Sequence, residues 1–391
     1  MIIILRPEVD PAGPEVKQIL NTLHYYQGVQ TRISGVTGKE RKVIEIYVIG
    51  DTSRIPEEEI ERLPGVERVV RVSKKYRLIG RHREDLEALG FEYNGLYFDQ
   101  DSFHIFAGLC AVDTPENVEA MFRALREVGV TTSRMGAYKP RTNPYSFQGH
   151  GRRCLPWLFE LAGKYGIRCI AMEVTKEVHI EEIYEELERA GRPTGVMLQI
   201  GTRNAQNFEL LKAVGSQNEF PVLYKRGMGI TLEESLNACE YIASEGNRRI
   251  VFCLRGVKTN LGDPHRNLVD FAHVPVVKGL TRLPVCVDPT HSVGRRQTAP
   301  DGIQEIFHIA AQGVIAGANM ILVEFHPRPE EALCDGPQAL TLEELPHFVE
   351  DMRVVREAYL TRKALAHRYQ TAPSRKEVSI DEGTLPSACA L

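Results

Sequence analysis

From residue 103 to residue 325 the chain repeats one pattern, in which a short apolar run precedes a segment with apolar residues at helical spacing. Such runs predict buried strands, and a spacing of three and four residues predicts amphipathic helices. The predicted strands are 103–109, 131–136, 168–174, 195–200, 221–225, 250–254, 284–287 and 320–325. The predicted helices include 117–128, 180–190, 207–214 and 232–245. Eight strands alternating with helices predict a parallel α/β sheet, and eight is the number that closes a (β/α)8 TIM barrel.

Residues 1–80 follow a different pattern, with strand and helix signals in the order βαββαβ. This order predicts a small ferredoxin-like α+β domain. Because it contains no cluster of chemically active residues, we expect an accessory or regulatory domain. The predicted division is therefore an N-terminal domain 1–80, a connector 81–100, a catalytic barrel 101–366 and a flexible C-terminal tail 367–391. An open doubly wound sheet is the alternative to the barrel, but no GxGxxG phosphate fingerprint follows the first strand.

Composition narrows the class of protein. The chain has 391 residues with 48 Lys and Arg against 52 Asp and Glu, and 43% of its residues are hydrophobic. This balance argues against disorder and against a basic nucleic-acid-binding protein. No apolar stretch is long enough to span a membrane. The eight cysteines form no CxxC pair and most lie in apolar runs, which predicts reduced thiols in a cytoplasmic protein.

Charged side chains stand at or just after the ends of the predicted strands, which surround one cavity in a barrel. The cations at these ends are Arg134, Arg203, Lys225 and Arg255. Like charges that converge repel each other, so we expect them to bind a small anion with both a phosphate and a carboxylate. Lys139, Arg141 and Thr142 form a second basic group that suits another phosphate. The alternative interpretation pairs each cation with a neighbouring acid.

A second set of strand-end residues has the chemistry of metal ligands: Cys110, His291, Glu324 and Asp335. Thiolate, imidazole and two carboxylates suit zinc or a divalent transition metal better than magnesium or calcium. Cys334 directly precedes Asp335, and we interpret it as a structural thiol.

Several long motifs resemble those of one enzyme family. They are RMGAYKPRTNPYSFQG at 134–149, QIGTRNAQNF at 199–208, KRG at 225–227, VDPTHS at 287–292 and DGPQ at 335–338. Together they resemble the type I beta 3-deoxy-D-arabino-heptulosonate 7-phosphate (DAHP) synthases over about residues 100–360. Residues 1–80 are similar to the ferredoxin-like regulatory domain that some members carry.

The resemblance implies a metal-dependent, aldol-like condensation of phosphoenolpyruvate with erythrose 4-phosphate, the first step of aromatic amino acid biosynthesis. It assigns phosphoenolpyruvate to the four strand-end cations and erythrose 4-phosphate to Lys139, Pro140, Arg141 and Thr142. It assigns a divalent ion (Mn, Fe, Co or Zn) to the four metal-ligand candidates. Lys139, Glu173 and His291 are the candidate catalytic residues. The implied partners are the two substrates, a second or further copies in a homodimer or homotetramer, and an aromatic effector at the N-terminal domain.

The chain departs from the family pattern in three places. Gly108-Leu109-Cys110-Ala111 stands where the family has Gly-Pro-Cys-Ser, and the third helix region, 175–194, differs from the usual pattern. Arg32 stands where the family has an effector-binding His. Three alternatives therefore stay open. They are a 3-deoxy-octulosonate 8-phosphate synthase, a secondary-metabolism paralogue that uses another aldose phosphate, and a non-catalytic partner of a chorismate-pathway enzyme.

Overall fold

The computed structural model describes residues 1–37, 42–52, 54–70, 76–81 and 90–371. In its N-terminal part the elements are β1 (Ile2–Leu5), α1 (Pro14–His24), β2 (Val29–Thr37), β3 (Lys42–Gly50), α2 (Glu57–Glu61) and β4 (Val66–Val70). The four strands form one antiparallel sheet in the order β2-β3-β1-β4. The predicted βαββαβ order and the ferredoxin-like domain are confirmed.

Alternation along β1 and β3 gives this sheet two buried faces. Ile3 and Ile46 belong to an apolar core shared with the domain's own helices. Ile2, Ile4 and Tyr47 belong instead to the core of the following domain. Because successive strand side chains point to opposite faces, one sheet can pack on two partners.

Charged contacts also join the sheet to the following domain. The Glu45 carboxylate is buried and lies 3.6 Å from Arg248 and 3.8 Å from Arg282. Arg32 donates to the backbone carbonyl of Ser244. The residue that stands in place of the effector-binding His is thus engaged between the domains.

The second domain contains a closed barrel of eight parallel strands. In chain order after a hairpin of β5 and β6 they are β7 (His104–Gly108), β8 (Thr132–Arg134), β9 (Cys169–Val174), β10 (Gly195–Ile200), β11 (Val222–Lys225), β12 (Ile250–Leu254), β13 (Val285–Val287) and β14 (Met320–Glu324). The helices are α3 (Pro115–Glu127), α4 (Leu155–Tyr165), α5 (Val178–Arg189), α6 (Phe208–Ser216), α7 (Leu232–Glu245), α8 (His273–Leu280), α9 (Pro289–Val293), α10 (Glu305–Ile315) and α11 (Leu345–Thr371). The predicted TIM barrel is confirmed, and the open sheet is excluded by closure.

The hairpin of β5 (Phe91–Tyr93) and β6 (Leu96–Phe98) lies within the segment predicted to be a connector. Phe91 and Phe98 pack with Phe106 and other inward-facing strand residues, so the hairpin closes the lower end of the barrel. Asn94 and Gly95 both have positive φ, at 48° and 74°. An Asn-Gly pair between apolar residues is a strong hairpin signal, and it could have revealed this element.

At the other end of the chain α11 runs through Thr371, so the boundary placed after residue 366 falls inside a helix. Residues 372–391, most of the predicted flexible tail, lie outside the described residues. Seven cysteines in the described chain are buried and free, as predicted, and Cys389 lies outside it. Among the described helices, none is long and apolar enough to cross a membrane.

Candidate active site

The upper, carboxyl-terminal end of the barrel gathers the residues predicted from the strand ends. Arg134, Lys225 and Glu324 are the last residues of their strands, and Glu173 is the penultimate residue of β9. The other members follow in loops or short helices: Cys110, Lys139, Pro140, Arg141, Thr142, Arg203, Arg255, His291 and Asp335. All except Cys110 and Glu324 line one cleft of about 200 Å³, and those two lie buried beside it.

The four predicted metal ligands form one compact cluster. Candidate ligand atoms of Cys110, His291, Glu324 and Asp335 all lie within 4.8 Å of one another. His291 Nε2 is 3.4 Å from Glu324 Oε1 and 3.8 Å from Asp335 Oδ2. Cys110 Sγ is 3.1 Å from Asp335 Oδ2. Barrel closure thus brings together residues as far as 225 positions apart.

The electrostatics of the cluster fit a bound divalent cation. Burial raises the pKa of Glu324 well above its usual range, and the Cys110 thiol adds to this shift. The Cys334 hydrogen bond and burial raise the pKa of Cys110. Burial lowers the pKa of His291 well below its usual value, which keeps a ligating imidazole neutral. Among the described residues Glu324 Oε1 has no hydrogen-bond donor. A cation would favour both anions and bind the neutral imidazole.

The pKa of Asp335 is shifted in the opposite direction from those of Cys110 and Glu324. Burial acts to raise its pKa, but His291, hydrogen bonds from Cys110 and Cys334, and the Lys139 charge together lower the pKa of Asp335 below its usual value. Asp335 is therefore an anion even before a cation binds. Its φ of 55° is left-handed, a conformation in which Asp is one of the better-tolerated residues.

Asp288 orients His291 and was absent from the predicted site. Its fully buried carboxylate lies 2.8 Å from His291 Nδ1, leaving Nε2 toward the metal cluster. Asp288 Oδ1 also accepts the backbone N–H of His291 at 3.1 Å as the N-cap of α9. A carboxylate behind a ligating histidine fixes its tautomer and orientation. The DPTH motif could have indicated this contact, because Asp is a preferred helix N-cap residue and lies here three residues before the histidine.

Three of the predicted cations have acidic partners in the walls of the cleft. Arg134 Nη1 lies 3.2 Å from Glu324 Oε1, and Lys225 Nζ donates to Asp288. Lys139 Nζ is 3.2 Å from Cys110 Sγ and 3.4 Å from Glu173 Oε2. The alternative interpretation, in which each cation is paired with a neighbouring acid, therefore holds for these three cations.

The acidic partners also keep the buried cations charged. Burial acts to lower the pKa of Lys139, but the Cys110 sulfur and the Glu173 carboxylate beside it raise that pKa above its usual value. Burial likewise opposes the positive charge on Arg134, whereas Glu324 and Cys110 raise its pKa. Both side chains are therefore cations at the floor of the cleft.

The other two strand-end cations, Arg203 and Arg255, have no such partner among the described residues. Within the described residues, neither Arg203 nor Arg255 forms an ion pair, although Arg203 Nη2 donates to Thr142 Oγ1 at 3.1 Å. Burial lowers the pKa of Arg255, and its Nε has no hydrogen-bond partner in the described chain. Arg141 Nη1 is also buried and has no hydrogen-bond partner in the described chain. Buried guanidinium donors without partners are the strongest sign that an anion completes the cleft.

Several further residues in the cleft or next to it lay outside the predicted site. Gln199 donates to Glu173 at 3.4 Å, and Gln338 donates to Glu324. Arg266 Nη1 lies 3.4 Å from Asp335 Oδ1 and 3.0 Å from Gln338 Oε1. The two glutamines lay inside quoted motifs, whereas Arg266 lies in a long loop with no local signal.

Two further observations concern the floor of the cleft. Cys334 places Sγ 3.8 Å from Cys110 Sγ and 3.2 Å from Asp335 Oδ2, so it lies beside the cluster, and its interpretation as a structural thiol stays a prediction. Glu173 approaches Gly201 so closely that an added Cβ would lie 1.8 Å from Glu173 Oε1. The glycine of the QIGTR motif therefore makes room for the Glu173 carboxylate.

Comparison with known proteins gives a consistent result. Residues 92–361 match the model of the DAHP synthetase I family, and residues 1–74 match the DAHP synthase ferredoxin-like domain. The chain is 38% identical to a phospho-2-dehydro-3-deoxyheptonate aldolase of Thermotoga maritima, over 92% of this chain and 98% of that protein. It is 28% identical to a 2-dehydro-3-deoxyphosphooctonate aldolase of Syntrophobacter fumaroxidans, over 69% and 94%.

A solved structure has the same architecture. The crystal structure of the Thermotoga maritima phospho-2-dehydro-3-deoxyheptonate aldolase (DAHP synthase) aligns with a TM-score of 0.66 and 37% identity, over 91% of this chain and 97% of that one. The structural comparison thus agrees with the family and sequence matches for both the barrel and the N-terminal domain. The chain belongs to the DAHP synthetase I family of enzymes and carries the family's ferredoxin-like domain at its N-terminal end.

Proposed function

We propose that this chain condenses phosphoenolpyruvate with erythrose 4-phosphate to give DAHP and phosphate, in a reaction that requires a divalent metal ion. The observation that carries the proposal is a pair of buried guanidinium nitrogens without hydrogen-bond partners in the described chain, Arg255 Nε and Arg141 Nη1, beside a four-donor cluster. A substrate with a phosphate and a carboxylate supplies the missing negative charge. The carboxylates and the thiol of the cluster need a cation in turn.

Phosphoenolpyruvate is held by Arg134, Arg203, Lys225 and Arg255. Arginine offers planar paired donors to phosphate and carboxylate groups, and lysine offers a point charge. Since Arg134 and Lys225 are already paired with buried acids, their positions are set before the substrate arrives. This preorganisation favours orientation of the substrate, which makes a large contribution in two-substrate reactions.

Erythrose 4-phosphate enters over the KPRT segment. Arg141 and Thr142 receive its phosphate, and Pro140 restricts the backbone between Lys139 and Arg141. The aldehyde end then points toward the Lys139 ammonium and the metal cluster. The hydrogen bond from Arg203 to Thr142 joins the two substrate sites.

The reaction forms one C–C bond and breaks one C–O bond. Carbon 3 of phosphoenolpyruvate attacks the aldehyde carbon, and the aldehyde oxygen becomes a hydroxyl by gaining a proton. Water adds to carbon 2 and loses one proton, and the C–O bond to phosphate then breaks as the new hydroxyl gives its remaining proton to the leaving phosphate, which leaves a ketone at carbon 2. Lys139 Nζ donates a hydrogen bond to the aldehyde oxygen, and the Glu173 carboxylate accepts the proton of the water.

The metal contributes to the same step. When held by Cys110, His291, Glu324 and Asp335, a divalent cation (Mn, Fe, Co or Zn) supplies Lewis acidity toward a carbonyl oxygen. His291 acts as a ligand whose Nδ1 side is fixed by Asp288. The Arg134 guanidinium beside Glu324 holds that carboxylate in place.

A substrate panel tests the proposal. Phosphate release and phosphoenolpyruvate consumption are measured with four- and five-carbon aldose phosphates, each with Mn²⁺, Fe²⁺, Co²⁺ and Zn²⁺. We expect kcat/KM for erythrose 4-phosphate to exceed that for arabinose 5-phosphate at least tenfold, with no turnover after chelation. A preference for the five-carbon sugar would favour an octulosonate 8-phosphate synthase. Absence of phosphate release with every sugar would favour a non-catalytic partner.

The assembly and regulation of the enzyme complete the proposal. We propose a cytoplasmic homodimer or homotetramer, because closed symmetry is the common form of barrel enzymes. Light scattering of the purified chain measures its mass. An aromatic amino acid is proposed as the effector of the ferredoxin-like domain. Inhibition curves with tyrosine and phenylalanine test this, and a flat response to both would remove it.

A further inference from the structure

A buried histidine–aspartate pair lies behind the metal cluster, outside the cleft. His326 Nε2 is 2.7 Å from Asp113 Oδ2, and only 3% and 7% of the two residues is exposed. Neither residue lines the cleft. They therefore do not touch substrate, and their role must act through the residues that they hold.

The hydrogen bonds around the pair define which ring nitrogen of His326 donates. His326 Nδ1 accepts the backbone N–H of Arg328 at 3.0 Å, so Nε2 carries the proton and donates it to Asp113. Asp113 Oδ1 accepts from the backbone N–H of Thr114 at 2.6 Å, and Oδ2 also accepts from Asn117 Nδ2 at 2.9 Å. The imidazole and a carboxylate with three donors form a closed network.

The pair joins the segments that carry two metal ligands. Asp113 lies three residues after Cys110, and His326 lies two residues after Glu324. The strands before them, β7 and β14, are neighbours in the barrel, and Phe325 N donates to the Gly108 carbonyl at 3.0 Å. Beyond the Phe325–Gly108 hydrogen bond, the pair directly links the loop after β7 to the segment after β14 through side chains.

A third segment reinforces the loop. His150 Nε2 donates to the backbone carbonyl of Asp113 at 2.8 Å, and its ring packs edge-on against Phe147. Phe147 in turn packs on Cys110, Ala111 and Cys334. The residue before Cys110 is Leu109, whose φ is not restricted by a proline ring. The conformation of this loop thus depends on the contacts of Asp113.

We propose that Asp113 and His326 are positioning residues of the metal site, which set the spacing between the Cys110 thiolate and the Glu324 carboxylate. This inference rests on the proposed metal dependence. The pair determines how tightly the ion is bound, while substrate affinity depends on the separate strand-end cations. Ligand sites held by such outer partners lose about 10–100-fold in metal affinity or activity when a partner is removed.

The test compares His326→Leu with His326→Gln in the full chain. Glutamine places an N–H donor near the position of the histidine Nε2, whereas leucine fills the space without a donor. Asp113→Asn is a second disruptive variant of nearly unchanged size, since its amide N–H₂ faces the histidine donor. His104→Leu is the matched control, because His104 Nε2 bonds the Tyr97 carbonyl at 2.8 Å at the opposite end of β7.

Co²⁺ affinity is measured by competition with a chromophoric chelator, and the thiolate-to-cobalt absorption reports the Cys110 bond directly. The Michaelis constant for phosphoenolpyruvate is measured at saturating Co²⁺. We expect His326→Leu and Asp113→Asn to weaken Co²⁺ binding about tenfold or more and to reduce the thiolate absorption. His326→Gln and His104→Leu stay within about twofold of wild type, and the Michaelis constant changes little in all four.

Equal Co²⁺ affinity and absorption in wild type and a folded His326→Leu or Asp113→Asn variant would overturn the proposal. So would a glutamine variant as weak as the leucine variant, because the donated hydrogen bond would then be irrelevant. If His326→Leu does not fold, Asp113→Asn and His326→Gln decide the matter. A wild-type chain that binds no Co²⁺ would overturn the proposed metal-dependent function itself, a separate result.

Discussion

The substitution Asp288→Asn tests how the cleft is preorganised. Asp288 is fully buried, accepts from Lys225 Nζ and lies 2.8 Å from His291 Nδ1. An amide of the same shape removes the negative charge while filling the same space. The buried Lys225 cation then loses its ionic partner, and the ring of His291 loses the group that fixes its tautomer.

Two separate losses follow from this geometry. Breaking a buried ion pair by removing one partner costs about 3–5 kcal/mol, so the free energy of unfolding should fall by about that amount. Removing the carboxylate behind a metal-ligating histidine weakens metal binding about 10–100-fold, which corresponds to about 1.4–2.7 kcal/mol. The first loss should be measurable in metal-free protein, and the second only in the metal titration.

Urea unfolding in the presence of a chelator measures the first loss, and chelator competition measures the second. Asp270→Asn is the matched control, because Asp270 pairs with the buried Arg226 at 2.9 Å outside the cleft. We expect both variants to lose stability and only Asp288→Asn to lose metal affinity. Metal affinity of Asp288→Asn within about twofold of wild type would refute the assignment of Asp288 as the residue that orients His291.

Four further expectations concern other parts of the molecule. Cys110→Ala should abolish metal-dependent turnover, and full activity of that variant without added metal would remove the metal assignment. Arg203→Ala should raise the KM for phosphoenolpyruvate at least tenfold more than that for the sugar phosphate, whereas equal effects would contradict separate substrate sites. Phe98→Ala should lower the free energy of unfolding by about 3–5 kcal/mol in urea, since the side chain plugs the barrel and is 1% exposed, and a loss below about 1 kcal/mol would contradict that role. Burial lowers the pKa of Lys278 to about 8, so the charge of its ammonium group opposes folding below pH 8. This destabilisation disappears as the pH rises toward about 10.4, the pKa of lysine in the unfolded chain. The free energy of unfolding of wild type relative to Lys278→Met should therefore rise by up to about 3 kcal/mol between pH 7 and 11, and a constant difference would refute this expectation.

The barrel could be predicted because its signal is local and repeated. Each strand needs only a short apolar run and each helix only its own periodicity, so eight copies of the pattern specify the architecture. The hairpin of β5 and β6 was missed although its Asn94-Gly95 turn is also a local signal. Its function as a plug is not local, because it depends on inward-facing strand residues far along the chain.

The candidate site could be predicted in part for a similar reason. Strand ends converge in any parallel barrel, so Arg134, Glu173, Lys225 and Glu324 could be placed at one mouth without knowing a single distance. The hydrogen-bond and ionic partners of these side chains could not be predicted in this way. Which acid neutralises Lys225, and which donor reaches Asp335, depends on neighbouring strands and on loops whose paths no periodicity describes.

The βαββαβ unit, the eight βα repeats and the types of residue at the strand ends follow from patterns within a few residues, so they could be predicted before any contact was known. The folded chain was needed to show that Asp288 holds His291, that Asp113 and His326 link two ligand segments, and that Arg32 contacts Ser244. These contacts join residues through closure of the barrel or burial between domains. Their energies depend on distance and on exclusion of water, which exist only once the chain is folded.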